Sequence, residues 1–349
     1  MTTPTRPRPL RALLVPLALI ALLGLLAACG DDDTGAETGG EPASATRTVE
    51  GAYGPIEIPS DPQRIFADIV TVDYLTALGF DTTRIVGVFD AEHFAEEDGY
   101  LGDFFNGQEL ADPGFQYEMN VEAVAAAEPD LILVPFDQID GAPQQAELGD
   151  IAPLLVVPTS TGEDPAGRYG GSASFQDWRG TIRAYGELLG LEEEAEAHIA
   201  GTEGLMDDVR EQHGELIARI TVNQAKTTSD YVAINALDIP GGSLSSLLLT
   251  ELGFRAPDAV AGLTPDEYGS IDISAENTHL MDADLLFLEV REGSTRHEES
   301  PLWAGLGVVR AGDVVVVGNH WEFGGAVAAR QVVRDIDAAL DDYATEQKG

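Results

Sequence analysis

Aromatic and arginine side chains that follow predicted strands are the first candidates for chemistry in this sequence. Trp321 follows a strand predicted at Asp313–Val317, and Arg291 follows directly on another at Leu285–Val290. Ligand pockets commonly combine aromatic walls with a few placed polar groups, and a guanidinium suits ligand oxygens. The other candidates of these two types are Phe89, Phe136, Arg168, Tyr169 and Tyr231. Such residues indicate binding rather than bond breaking.

Sequence motifs for catalysis and for metal binding are missing. There is no GxSxG, HExxH or P-loop motif, and His297-Glu298-Glu299 lacks the second histidine of a zinc protease. A bare metal-ion binder needs several histidines and carboxylates around one ion, yet no two histidines have HxH or HxxxH spacing. The histidines are His93, His198, His213, His279, His297 and His320. We therefore expect neither an enzyme nor a resident cofactor. An extracytoplasmic lipoprotein enzyme and a bare metal-ion binder remain the rival hypotheses.

The segments around these residues alternate between predicted strands and helices. Strands are predicted at Arg64–Ala67, Ile85–Val88, Leu131–Val134, Leu154–Val157, Tyr231–Asn235, Leu285–Val290 and Asp313–Val317. Helices are predicted at Thr71–Gly79, Val121–Glu128, Ser243–Leu252, Ser274–Met281 and Ala326–Tyr343. This alternation favours an α/β fold with parallel sheets, in which a ligand crevice lies beyond the carboxyl ends of the strands.

One longer helix is predicted at Leu191–Gly214, between the two runs of strands and helices. Its apolar residues recur at steps of three and four with acids between them, which is typical of a surface helix. We predict one α/β lobe at residues 48–190, this connecting helix at 191–214, and a second lobe at 215–349. Gly201 and Gly204 lie inside the helix, so it either packs closely there or bends.

Two sequence patterns occur in both halves of the chain. Leu75–Phe80 (LTALGF) returns as Leu249–Phe254 (LTELGF). In addition, Glu122 and Glu276 each precede, by the same interval, an aspartate and an apolar strand. Acids near a helix start can simply complement the helix dipole, but two parallel matches favour a shared role.

The N-terminal residues have the pattern of an export signal. Residues 1–28 combine an arginine-containing start with an apolar stretch that ends in small residues, followed by the only cysteine, Cys29. Leu26–Cys29 resembles the lipobox of bacterial lipoproteins, in which the cysteine is lipidated after cleavage. We expect residues 29–47 to form a flexible acidic tether, with the protein lipid-anchored on the extracytoplasmic face of the cell membrane.

The chain is strongly acidic, with 61 acidic and 19 basic residues and a formal net charge of −42. Such a charge makes nucleic acids and anionic lipid surfaces poor partners. The acids fit a solvated surface coat. Attraction of cationic ligands is the weaker interpretation, because surface charge does not report the charge of a pocket.

Several stretches, in this order, resemble the substrate-binding proteins of iron-siderophore and cobalamin ABC importers. They are the lipobox, ALGFDTTRIVGV, MNVEAVAAAEPDLILV, DWRGTIRAYGELLGLEEEAEAHI, ISAENTHLMDADLLFLEV and PLWAGLGVVRAGDVVVV. The resemblance implies two Rossmann-like lobes joined by one long helix, with the ligand cleft between them and residues 60–345 forming one module. It also implies that Glu122 and Glu276 dock onto arginines of the permease dimer.

The resemblance implies a ferric siderophore as ligand, whose iron arrives already chelated, and a monomeric carrier. Cobalamin and haem are bound by the same fold and remain alternatives. A strongly anionic catecholate complex needs a cluster of basic residues, whereas this chain has only two lysines and scattered arginines. A neutral or cationic hydroxamate complex is therefore slightly favoured.

Overall fold

The chain contains two main sheets, one formed by strands before a long helix and one formed by strands after it. The structure is a computed structural model that describes residues 45–92, 94, 99–115, 119–135, 145–157, 177–237, 242–266, 269–291, 293–322 and 324–346. Among these residues, no helix combines the length and the apolar character that crossing a membrane requires.

The first sheet has four parallel strands, in the order β4-β3-β5-β6. An antiparallel hairpin, β1 and β2, precedes it. The strands are β1 Thr46–Gly51, β2 Gly54–Pro59, β3 Ile65–Ala67, β4 Ile85–Val88, β5 Leu131–Pro135 and β6 Leu154–Val157. Every residue of β5 is buried, as expected for a central parallel strand covered by helices on both faces. The predicted parallel sheet is confirmed.

The second sheet is mixed, in the order β11-β10-β7-β8-β9. Its strands are β7 Val222–Thr227, β8 Val232–Asn235, β9 Ser270–Asp272, β10 Leu285–Val290 and β11 Val314–Val317. Strands β7, β10 and β11 are parallel, whereas β8 runs antiparallel to both β7 and β9.

The sequence did not predict β7, the central strand of the second sheet. Its residues VNQAKT are all buried, although four of them are polar. Tertiary contacts satisfy part of these polar groups, as when Asn223 Nδ2 donates to the Leu280 carbonyl at 2.9 Å. Asn223 Oδ1 and Gln224 Nε2 are buried without a hydrogen-bond partner among the described residues. Because partners so distant in sequence replace water, the strand has no apolar pattern that could have revealed it.

Helices cover both sheets. The α-helices are α1 Ile69–Ala77, α2 Gly102–Phe105, α3 Val121–Ala126, α4 Gln145–Ile151, α5 Trp178–Leu189, α6 Glu192–Ile217, α7 Leu244–Leu252, α8 Asp258–Ala261, α9 Gly307–Ala311 and α10 Ala326–Glu346. The segment predicted as a helix at Ser274–Met281 is instead a 3₁₀ helix at Ala275–Met281, and the Ser274 side chain does not cap it. Further 3₁₀ turns lie at Thr82–Arg84, Gly99–Leu101, Arg296–Glu299, Trp303–Gly305 and Asn319–Trp321.

Helix α6 connects the two sheets and runs without a break through both glycines. Its 26 residues span about 39 Å at ~1.5 Å per residue. Gly201 faces Arg330 of α10, and a Cβ atom there would lie 2.9 Å from Nη2 of that arginine. Gly204 has open space at the same position. Of the two alternatives that the sequence left open, close packing and bending, the structure shows close packing, at Gly201 only.

The repeated LTxLGF pattern ends α1 and α7 in the same way. The Phe80 and Phe254 amides donate to the carbonyls of Leu75 and Leu249, at 3.0 and 3.1 Å. Gly79 and Gly253 have φ angles of +66° and +98°, the left-handed conformation that this helix ending requires. Each half of the chain therefore ends one helix in the same way.

The two aspartates of the repeat also have equivalent positions. Asp130 accepts from the amides of Gln63 and Arg64 at 2.8 and 3.0 Å, just before β3. Asp284 accepts from the Thr221 amide at 2.7 Å, just before β7. In both lobes the aspartate that precedes one strand holds the start of the neighbouring strand.

The C-terminal helix α10 joins both lobes into one core. It packs against α1 and α5 of the first lobe, the connecting helix α6, and α7 of the second lobe. Its buried residues belong to the same hydrophobic cluster as those of α1, α5 and α7. Residues from Ser44 onward accordingly form one compact unit.

Candidate functional site

The carboxyl ends of the two sheets meet at one junction. Asp73, in the helix that follows β3, accepts from the amides of Val327 and Ala328 at 2.8 and 2.9 Å. These amides begin α10, downstream of the carboxyl end of β11. In the same region the Tyr100 and His320 rings lie 5.3 Å apart. The two lobes are therefore in contact at the place where a crevice is expected beyond the strand ends.

Two buried carboxylates lie on the first-lobe side of this junction. Asp68 caps α1 by accepting from the Thr71 amide at 2.8 Å, and Asp73 caps α10. Burial raises the pKa of each to about 6, although the hydrogen bonds from backbone amides oppose the shift.

Four charged residues, two buried and two partly buried, form a charge cluster on the second-lobe side: Lys226, Glu289, Arg291 and Glu322. The first three lie at the carboxyl ends of β7 and β10, and Glu322 lies downstream of β11. Glu322 Oε1 is 2.9 Å from Lys226 Nζ, and Glu322 Oε2 is 2.7 Å from Arg291 Nη2. Glu289 Oε1 accepts from Arg291 Nε at 2.8 Å. Each cation therefore has a carboxylate partner.

The two glutamates of the charge cluster have different protonation behaviour. Glu289 is 0% exposed, and burial together with the charge of Glu322 raises its pKa to about 8. Burial also acts to raise the pKa of Glu322, but Arg291 and Lys226 outweigh it and hold that pKa below its usual range. The net charge of the cluster is thus one positive unit when Glu289 is protonated and zero when it is ionised.

The structure brings two of the predicted ligand-binding residues together at this cluster. Arg291 is one of its members, and Lys226 Nζ lies 5.6 Å from the centre of the Tyr231 ring. Tyr231 is exposed, so its ring is available to a ligand. The sequence analysis missed Lys226, Glu289 and Glu322. The available signal was Glu289, a charged residue inside the otherwise apolar strand LLFLEV.

Two other predicted ligand-binding residues are buried and offer no surface to a ligand. Trp321 is 0% exposed, stacks 4.5 Å from the Phe287 ring, and donates from Nε1 to Asp335 at 2.9 Å. Phe89 is also buried, with its ring 5.0 Å from that of Phe66. The prediction that these aromatic rings form cleft walls is corrected, because both are core residues.

The remaining candidates lie outside the described residues or on the surface. Cys29, Phe136, Arg168 and Tyr169 are outside the described part of the chain. Glu122 and Glu276 are both exposed, in the first turns of α3 and of the 3₁₀ helix Ala275–Met281. Helix α3 ends at Ala126, earlier than predicted, because Glu128 has a φ of +47°.

The histidines of the described residues are not arranged around a metal ion. His198 Nε2 lies 2.8 Å from the Ala326 carbonyl, and His213 Nε2 lies 3.1 Å from Asp337. Within the described ranges, no group of three or more histidine, cysteine or acidic residues is placed to hold a metal. Both histidines of α6 instead fasten this helix to α10.

Comparison with known proteins identifies the class. The family model described as periplasmic binding protein matches residues 92–320, more than half of the chain. The chain therefore belongs to the periplasmic binding protein family, and it has the two-lobed α/β fold with a helical linker.

Individual relatives are similar over most of the chain. The probable siderophore-binding lipoprotein YfiY of Bacillus subtilis is 26% identical over 331 residues, which are 90% of this chain and 93% of the relative. The petrobactin-binding protein YclQ of Bacillus subtilis superposes with a TM-score of 0.66 at 18% identity, covering 85% of this chain and 99% of YclQ. FhuD2 of Staphylococcus aureus, solved with bound ferrioxamine B, gives 0.62 at 18% identity, covering 80% of this chain and 99% of FhuD2.

Proposed function

We propose that this protein captures a ferric siderophore outside the cytoplasm and delivers it to the permease of an ABC importer. The observation that carries the proposal is the similarity to a probable siderophore-binding lipoprotein over 90% of the chain. The meeting of both sheets' carboxyl ends, with Tyr231 and the charge cluster on one side, supports a ligand cleft there. The protein acts as a carrier, and the iron arrives already chelated.

We propose a neutral or cationic hydroxamate complex as the ligand. Both cations of the charge cluster are paired with carboxylates, so at most one positive charge remains uncompensated. A catecholate complex with several negative charges would gain little attraction from such a site. Cobalamin, haem and anionic siderophores are the alternatives that the binding experiment separates.

We propose that the mature protein is monomeric and held at the membrane by lipid on Cys29, with residues 29–47 as a tether. Exposed Glu122 and Glu276 then provide the contacts to the permease dimer. Charge-assisted pairs at two separate sites fix orientation as well as affinity.

The function is tested by titrating the purified protein, without its signal peptide, with ferrioxamine B, a ferric catecholate, ferric staphyloferrin B, cobalamin and haem. We expect tryptophan fluorescence to be quenched by ferrioxamine B at the lowest concentration. Trp178 and Trp321 are buried, but energy transfer to a coloured iron complex does not require contact. The iron-free siderophore is the control, because it lacks the coloured iron complex that accepts energy from tryptophan. The absence of both quenching and a thermal shift with every ligand would contradict the proposed function.

A further inference from the structure

Glu322 lies between the two cations of the charge cluster. Its two carboxylate oxygens lie between two cations from different strands, 2.9 Å from Lys226 Nζ and 2.7 Å from Arg291 Nη2. It forms ion pairs with both cations, whereas the ion pair described for Glu289 is with Arg291. The Glu289 side chain is also hydrogen-bonded to that of Glu322.

The charges in this cluster act over a longer range than surface charges. Lys226 is 7% exposed and Glu289 is 0% exposed, while the Arg291 and Glu322 side chains are each 18% exposed, so water reaches the cluster only in part. Charges in such surroundings interact more strongly and are less screened by salt than those on the surface. A change of one charge here therefore alters the potential that a bound ligand experiences.

The location of Glu322 connects the cluster with the interlobe junction. The residues that follow it, Val327 and Ala328, donate their amides to Asp73 of the first lobe. Residues before it pack into the second lobe, where Trp321 stacks on Phe287. Glu322 thus lies in a segment that contacts the second lobe before it and the first lobe after it.

We propose that Glu322 is a specificity-determining residue. Its carboxylate offsets the charge of Lys226 and Arg291, so that the cleft accepts neutral or cationic ferric complexes and disfavours polycarboxylate anions. This inference rests on the proposed function, because it names the charge class of the ligand at the same site. Glu322 touches no ligand in this argument and acts by setting the charge of its two neighbours.

The test compares two variants with opposite effects on charge. Glu322→Gln adds one positive unit to the cluster and Lys226→Gln removes one, both in a Glu289→Gln background, where ionisation of Glu289 cannot offset the change. For each variant, affinities for ferrioxamine B, which is cationic, and ferric staphyloferrin B, which carries carboxylates, are measured by fluorescence titration. We expect the ratio of anionic to cationic affinity to rise about tenfold in Glu322→Gln and to fall in Lys226→Gln.

Glu251→Gln is the matched control, because Glu251 also pairs with an arginine, Arg179 at 3.0 Å, but on α7 rather than in the cluster. Its affinity ratio should equal that of the unaltered protein. An unchanged ratio in both cluster variants, or a shift of both in one direction, overturns the inference. If Glu322→Gln does not fold, Lys226→Gln decides, since Glu322 keeps Arg291 as a partner there.

Binding of citrate, measured by calorimetry, separates this inference from the proposed function. Citrate is a small polycarboxylate that needs no siderophore site, and we expect only Glu322→Gln to bind it measurably. If the unaltered protein binds no ferric complex, the proposed function fails, while gain of citrate binding in Glu322→Gln still supports the role of Glu322. Absence of that gain in the folded variant overturns it.

Discussion

Buried ionisable side chains concentrate where the carboxyl ends of the two sheets meet. Asp68 and Asp73 lie on one side of the junction, and the charge cluster lies on the other. Burial of a charge costs free energy unless hydrogen bonds or counter-charges offset it, so residues of this kind are retained mainly where they have a function. At the residue scale, these groups mark the cleft more clearly than any aromatic side chain does.

Asp68 makes the stability of the protein depend on pH. Burial raises its pKa from 3.8 to about 6, so between these values the folded state binds more protons than the unfolded state. Its contribution to the free energy of unfolding therefore falls as pH rises from about 4 to about 6. We expect Asp68→Asn, which still accepts from the Thr71 amide, to reduce this fall.

Urea unfolding at a series of pH values measures the effect. The control is Asp150→Asn, because Asp150 is exposed on α4. Asp73, whose pKa burial raises in the same way, continues to contribute in every variant. An identical dependence on pH in Asp68→Asn and in the unaltered protein would contradict the assignment.

Individual site residues were predictable from the sequence only in part. Arg291 and Tyr231, which each adjoin a recognisable strand, lie at the charge cluster, and their ligand-binding role stays a prediction. Trp321 adjoins a strand too, but its indole points into the core, and proximity to a strand end does not reveal side-chain direction. Lys226 and Glu322 are 96 residues apart and become partners only through the fold.

At the element scale, the two glycines of α6 provide a matched pair. Alanine is favoured over glycine by about 1 kcal/mol within a helix, so Gly204→Ala, with open space around its Cβ, should stabilise the protein by up to that amount. Gly201→Ala should gain less or destabilise, because Arg330 must move. That arginine donates to the His198 carbonyl at 2.8 Å and to Thr202 Oγ1 at 3.2 Å.

Chemical unfolding of both variants under the same conditions gives the comparison. The Gly201→Ala, Arg330→Ala double variant removes the contact, and there the substitution at Gly201 should recover the stabilisation expected from helix propensity. Equal stabilisation by the two single substitutions would show that α6 and α10 do not pack closely at Gly201.

Elements with local signals were predicted well. Strand β10 has the predicted bounds, and the helix predicted to end at Leu252 does so, because Gly253 with positive φ follows it. Strand β7 was missed because four of its six residues are polar, and the partners of Asn223 and Lys226 are distant in sequence. The 3₁₀ helix at Ala275–Met281 differs from an α-helix only in its hydrogen-bond spacing, which the apolar pattern does not reveal.

At the scale of the whole molecule, docking on the permease should depend on both lobes. We expect Glu122→Ala with Glu276→Ala to leave ligand affinity nearly unchanged and to abolish uptake of radiolabelled iron by cells. Both side chains are exposed, so their loss should not alter the fold. The control of equal charge is Glu193→Ala with Glu211→Ala, two exposed residues of α6. Normal uptake in the Glu122→Ala, Glu276→Ala variant would contradict a docking role and show that these two acids serve only at the starts of their helices.

The proposed lipid anchor predicts where the protein is found in the cell. Cys29→Ser removes the thiol that the lipid requires, so the protein should leave the membrane fraction or accumulate as an uncleaved precursor. Cell fractionation followed by mass spectrometry of the N-terminus distinguishes these results. Recovery of an acylated, membrane-bound Cys29→Ser protein would refute the lipobox interpretation.

The packing of α10 has a consequence for biosynthesis. Its 21 residues complete a core shared with α1 and α5, which the ribosome makes far earlier. The first lobe therefore cannot finish folding as its own sequence emerges, and its apolar helix faces remain uncovered until almost the whole chain has been synthesised. Such a delay suits a polypeptide that must stay unfolded during export, because the two lobes acquire their final stability together at the end.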